Sequence, residues 1–165
     1  MKILIRVFMM AFLLVGCTID DHKDSPDPDE TSLIKVGDRL PSFSVDMITG
    51  EGRGVFSTLR LTGRTVIVFF HTSCSDCQRE LPKLNDYYLS HRDENGFQMV
   101  AIAREEQQES IAAFWQEHHL AIPYSPQPDR RIYSLFATQT IPRAYLCSAD
   151  GIVQWMGIEK FTMGD

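Results

Sequence analysis

The stretch Val66-Ile-Val-Phe-Phe-His-Thr-Ser-Cys-Ser-Asp-Cys-Gln-Arg-Glu-Leu-Pro82 decides the reading of this chain. Residues 65–70 are β-branched and aromatic without alternation, the pattern of a central strand covered on both faces. An amphipathic run, residues 78–89, comes next and places Leu81, Leu84 and Tyr88 on one helical face. Between the two lie Cys74 and Cys77, at i and i+3 on one helical turn. Their sulfurs can close a small disulfide and reopen it with little backbone movement. Cys74 falls at the helix N-terminus, where unpaired backbone N–H groups favour a thiolate. This is redox chemistry rather than structural stapling. The competing readings are a purely structural disulfide, a domain that kept the fold and lost the activity, and a zinc site. Zinc would need two more ligands, drawn from Cys17, Cys147 and five scattered histidines.

Outward from this centre, strand and helix patterns alternate. Residues 97–103 read as the next buried strand, and strand–helix–strand implies a right-handed crossover with parallel pairing. Residues 105–119 read as a second helix, with Ile111, Phe114 and Trp115 inward and Glu106, Glu109 and Glu117 toward water. A short strand at 122–124 and a short helix at 129–136 come after it. Residues 143–147 and 152–155 read as two strands joined by Ser148-Ala-Asp-Gly151, and Asp-Gly is a hairpin signal. Upstream, Phe43, Val45 and Met47 alternate with Ser44 and Asp46, and Val55-Phe56 return as a second strand after Gly50, Gly52 and Gly54. Pro82 lies inside the first helix and is expected to kink or strain it. Residues 156–165, with Gly157 and Gly164, leave little room for a closing helix.

The quoted stretch resembles the active-site region of the thioredoxin superfamily. More narrowly, it resembles that of the TlpA/ResA-like membrane-tethered thiol–disulfide oxidoreductases of bacterial envelopes. The resemblance extends over roughly residues 33–155. It includes a second marker, Thr140-Ile-Pro142 before an apolar strand, which matches the family's cis-proline loop. It implies a thioredoxin-like α/β fold: a central mixed sheet with helices on both faces, extra N-terminal strands, and a C-terminal helix that is short or missing. It also implies that Pro142 is cis and that the backbone at Ile141 pairs with an extended substrate peptide. Glu80, one turn beyond Cys77, matches a glutamate that assists proton transfer at the buried cysteine; a solvated helix residue is the alternative. Three positions depart from the pattern. Ser73 stands where the family carries Trp, Asp76 where it carries Pro, and Val68 where thioredoxin has a buried Asp. These bear on redox potential and partner, not on the fold. The Asp76 charge raises the cost of a thiolate on Cys74, while the helix dipole lowers it.

The 165 residues allow one domain with a real core, and 44% apolar content fits a soluble globular protein. Residues 1–16 differ. Lys2 and Arg6 flank an apolar run at 7–15, followed by Gly16 and Cys17. This reads as a signal peptide, too short for a lasting membrane span. Leu14-Val-Gly-Cys17 resembles the lipobox of bacterial lipoproteins, which implies acylation of Cys17. An ordinary secretion signal with an incidental cysteine is the alternative. Residues 17–32 read as an acidic tether, with Asp20, Asp21, Asp24, Asp27, Asp29 and Glu30 set among Pro26 and Pro28. Residues 33–165 then form the thioredoxin-like domain. A formal net charge of −6 argues against a nucleic-acid partner.

His71, three residues before Cys74, is expected to make local hydrogen bonds, and Cys147, in an apolar strand, to act as a small hydrophobe. The expected activity is reduction of protein disulfides by Cys74 and Cys77, with no cofactor and no metal. An exported dithiol must be recharged, so an upstream membrane or periplasmic reductant is implied. The expected location is the bacterial cell envelope, lipid-anchored and facing the periplasm or the cell surface. The alternatives are a disulfide donor, a relay in cytochrome c maturation, and an inactive lipid-anchored peptide-binding module.

Overall fold

The computed structural model describes residues 30–162. The expected signal peptide, Cys17 and most of the expected tether lie outside the described residues. The chain runs β1 (Ser44–Thr49), β2 (Gly52–Ser57), β3 (Thr65–Phe70), α1 (Ser75–His91), β4 (Gln98–Ala103), α2 (Gln108–Glu117), β5 (Tyr124–Ser125), a 3-10 turn (Tyr133–Leu135), β6 (Arg143–Cys147) and β7 (Val153–Ile158). Among the described residues these strands form one sheet, ordered β2-β1-β5-β4-β3-β6-β7.

Every residue of β3 is buried, as its unbroken apolar run requires. It pairs parallel with β4 and antiparallel with β6, and β7 lies antiparallel on β6. β1 and β2 form a hairpin that joins the sheet through β5. The steps from β3 to β4 to β5 run in one direction, so right-handed crossovers put α1 and α2 on the same face. Asn85 of α1 accepts the Ala121 N–H just beyond α2 at 2.6 Å, and Phe70 meets the Trp115 ring at 4.9 Å. Phe69 points the other way. It packs on Phe136 at 4.8 Å and Tyr133 at 5.5 Å. One face of the thioredoxin-like sheet is thus covered by α-helices and the other by the 3-10 turn. No helix comes after β7 among the described residues.

Four segments differ from the sequence reading. Thr31 and Ser32 are buried, so the packed chain begins ahead of residue 33. Ser32 bridges to Ala137, and Leu33 N–H donates to Phe136 C=O at 2.8 Å. The second helix starts at residue 108, not 105, because Glu105 adopts φ 63 and Glu106 pairs with Gln127 through both backbone groups. Glu106 is consequently buried and does not face water. Within residues 129–136 a single 3-10 turn, Tyr133–Leu135, stands in place of the expected helix. β7 runs on to Ile158, past the expected end at 155. Gly157 lets Phe161 fold back toward α1, because a Cβ at that position would lie 2.4 Å from the Trp155 ring and 2.6 Å from Phe161.

Candidate active site

Cys74 is the N-cap of α1. Its extended backbone (φ −82, ψ 119) ends the loop from β3, and its sulfur accepts the Cys77 N–H at 3.4 Å. That is one of the helix N–H groups left without an intrahelical partner. The same sulfur, as a thiol, donates to the Ile141 carbonyl at 3.6 Å. The Ile141–Pro142 bond is cis, and its loop lies against Cys74 as the sequence resemblance implies. Both cysteines are free thiols. Cys74 is partly exposed and lines an open cleft of about 530 Å³ shared with Ser73, Arg104, Thr140 and Ile141. Cys77 is fully buried. Burial, reinforced by the bond to Cys74, pushes its thiol far above the ordinary range; the His71 backbone and the Arg104 charge pull the other way.

The remaining predicted residues occupy distinct positions. Asp76 pairs with Arg79 at 2.5 Å, which offsets its charge near the helix start. Val68 is buried in β3 and supplies no proton acceptor. Glu80 is fully buried. Its Oε1 accepts from Lys83 Nζ at 2.9 Å and Arg79 Nε at 3.1 Å, and its Oε2 accepts the Phe161 N–H at 3.2 Å. Burial would push this carboxyl up, but those three donors outweigh it and hold the carboxyl below its usual range. No hydrogen bond among the described residues links Glu80 to either sulfur. His71 accepts the Ser73 N–H at 3.1 Å, the local role expected of it. Cys147 is buried in β6, and burial raises its thiol to about 12.

Further residues that the sequence reading passes over complete the site. Glu106 accepts the Thr72 N–H at 2.8 Å and the Thr72 hydroxyl, fixing the approach to Cys74. Arg143 comes directly after the cis-proline and is fully buried. Its Nε donates to the Thr140 carbonyl at 2.9 Å and the Gln139 carbonyl at 3.1 Å. Its terminal nitrogens donate to Ser32 Oγ at 2.6 Å and to Thr31 Oγ1. Tyr133 Oη also donates to Thr140 C=O, at 2.9 Å. Arg104 lines the cleft itself. An arginine directly after the proline, at the head of an apolar strand, is the one signal of this group visible in sequence.

A thioredoxin-like sheet carrying a dithiol at a helix N-terminus, faced by a cis-proline loop, defines a thiol–disulfide oxidoreductase. The chain belongs to the AhpC/TSA family, whose model matches residues 36–156. It is 25% identical over 154 residues to the thiol-disulfide oxidoreductase ResA of Oceanobacillus iheyensis, covering 92% of this chain and 75% of that one. The ResA of a Bacillus cereus strain is 24% identical over 162 residues, with 92% and 85% covered. Among solved structures, the thioredoxin domain of a thiol-disulfide oxidoreductase from Bacteroides vulgatus superposes with a TM-score of 0.64. It is 18% identical and covers 76% of this chain and 89% of that one.

Proposed function

We propose that this protein reduces protein disulfides in the bacterial envelope, with Cys74 as the attacking thiol and Cys77 as the resolving one. One observation carries the assignment: Cys74 opens onto the cleft as the helix N-cap, while Cys77 is buried one turn deeper. The Cys74 thiolate attacks one sulfur of a substrate disulfide. The substrate S–S bond breaks, and the departing sulfur leaves as a thiolate that takes up a proton. Cys77, having lost its proton, then attacks Cys74 Sγ. The mixed disulfide breaks, and the second substrate sulfur leaves. The substrate gains two electrons, and the Cys74–Cys77 pair becomes a disulfide that an upstream dithiol reductant reopens. The backbone at Ile141 and Pro142 docks the substrate peptide beside Cys74. The segment at 1–16 directs export, Cys17 carries the lipid anchor, and the acidic tether spaces from the membrane a folded domain whose packed chain already includes Thr31 and Ser32.

The test is trapping in cells. Cys77→Ser accumulates mixed disulfides with envelope proteins, because the first step proceeds and the second does not. Cys74→Ser accumulates none. Equal trapping by both variants overturns the assignment of roles. Adding Cys17→Ser in the same experiment moves the adducts from the membrane to the soluble fraction if the anchor assignment holds.

A further inference from the structure

Cys74 sits between two unlike walls of its cleft, and the sheet order β4-β3-β6-β7 sets them. Arg104 follows β4 on one side of the cysteine loop. Its N–H donates to Phe70 C=O at 2.8 Å where the two parallel strands end together. Ile141 and Glu159 lie on the other side, the first ahead of β6 and the second beyond β7. All three line the cleft with Cys74. Paired strands run about 4.8 Å apart, so a side chain within two residues of a cysteine docked at Cys74 reaches the Arg104 wall. The arginines near this cleft differ in what they hold. Arg79 is paired with Asp76 and Glu80. Arg130 donates to Thr138 C=O at 2.8 Å and lies 3.9 Å from the Glu105 carboxylate. Arg143 donates to the Gln139 and Thr140 carbonyls. Arg104 is half-buried, with its guanidinium carbon 5.3 Å from the centre of the Tyr133 ring. That ring is itself held by its hydroxyl, which donates to Thr140 C=O. The Arg104 Nε is buried, and its guanidinium has neither hydrogen bond nor ion pair among the described residues. Packing thus positions the side chain while its charge stays uncommitted. The group that matches such a planar cation is a carboxylate.

We propose that Arg104 is a specificity-determining residue: it binds a carboxylate side chain, Asp or Glu, carried within two residues of the reactive cysteine of the substrate. The proposal rests on Cys74 as the attacking thiol. The other charges of the cleft leave room for this preference. Glu105 has Arg130 beside it, and Glu159 stands across the cis-proline loop from Arg104. The contact forms equally in the bound substrate and during sulfur exchange, so it lowers KM and leaves kcat unchanged.

The experiment uses the full chain carrying Cys17→Ser, kept reduced by a small dithiol, and three peptide disulfides that differ only in the residue next to the cysteine: Glu, Gln or Lys. The expected kcat/KM is at least tenfold higher for the Glu peptide than for the Lys peptide, with the difference in KM. Arg104→Met brings that ratio below threefold, and Arg104→Glu inverts it. The neighbouring charge also alters each peptide's own reactivity, which comparison with the variants cancels. Arg104→Gln serves in place of the Met variant if that one does not fold. A wild-type protein that treats the three peptides alike, or a preference for Glu that persists in the folded Met or Gln variant, overturns the proposal. Failure of the underlying reading looks different: no peptide is reduced, or mass spectrometry finds the first adduct on Cys77 instead of Cys74. Fluorescence anisotropy then still decides the role of Arg104. Peptides with serine in place of the cysteine should bind the Cys74→Ser, Cys77→Ser protein in the same order, Glu tightest, and lose that order with Arg104→Met; an order that ignores Arg104 overturns the proposal.

Discussion

The two loops that meet at the cleft are braced in opposite ways. The cysteine loop, leading from β3 into α1, presents N–H groups, and the buried carboxylate of Glu106 receives the one at Thr72 together with the threonine hydroxyl. The cis-proline loop presents carbonyls, and the buried guanidinium of Arg143 donates to those of Gln139 and Thr140. Backbone polarity selects the sign of the buried charge, because an unpaired buried group of either kind is expensive. The reach also differs. Glu106 comes from the neighbouring loop at the same sheet edge, whereas Arg143 extends to Thr31 and Ser32 at the start of the packed chain. The cis-proline loop is thereby fastened to the N-terminal arm.

The largest expected effect lies on the Arg143 side. Arg143→Met leaves two backbone carbonyls and two hydroxyls without this donor in a fully buried position. It should cost on the order of 3 kcal/mol of stability by urea denaturation. Thr140 sits at φ 72, a conformation that a β-branched residue adopts only when its surroundings impose it. Releasing its carbonyl should therefore also raise KM for a disulfide peptide more than it lowers kcat. A variant that loses stability with KM unchanged would show that the brace serves the fold and not the docking loop. Protease cleavage near Thr31 should rise in parallel, which Glu106 variants should not reproduce.

Glu106 comes next. Glu106→Gln keeps one acceptor for the Thr72 N–H but loses the charge, at a cost of about 1 kcal/mol. Glu106→Ala removes both bonds at about 2–3 kcal/mol. Hydrogen exchange at the Thr72 amide should speed up strongly in the Ala variant and weakly in the Gln variant. If both leave that amide protected, the cysteine loop is held by His71 and Ser73 alone, and the symmetry between the two braces fails.

Much of this molecule is legible in its sequence. β3, β4, β6 and the helix carrying the dithiol each have one dominant signal: an unbroken apolar run, or a 3.6-residue stripe with a cysteine at its start. The positions of Cys74 and Cys77 follow from those elements, and that of Ile141 and Pro142 beside Cys74 from the resemblance to the family's cis-proline loop. At Glu106 the sequence misleads for a physical reason. Its helical pattern with Ile111 and Phe114 is genuine, but a backbone pairing with Gln127, far along the chain, ends the helix before reaching it. Arg143 escapes notice because its burial depends on acceptors that distant segments supply. The segment at 129–136 carries a helical pattern too short to survive as more than one 3-10 turn.

The smallest expected effect belongs to Glu80, and it sharpens the comparison by adding a third buried charge that touches neither loop. Its carboxylate joins Lys83, Arg79 and the Phe161 N–H, and Arg79 donates in turn to the Glu159 carbonyl at 3.2 Å. Those bonds tie the chain beyond β7 onto α1, on the sheet face where no further helix is described. A carboxylate held below its usual range by three donors is a weak proton acceptor at neutral pH. Glu80→Gln keeps the acceptor toward Phe161 and removes the charge facing Lys83. It should cost about 1 kcal/mol of stability and leave the resolving rate within a factor of about three, since ion pairs open to solvent on one side contribute little. Both measurements come from the same purified variant. If resolution instead falls a hundredfold with stability intact, Glu80 moves protons at Cys77. Its carboxylate would then have to break its present bonds to Lys83, Arg79 and the Phe161 N–H during turnover.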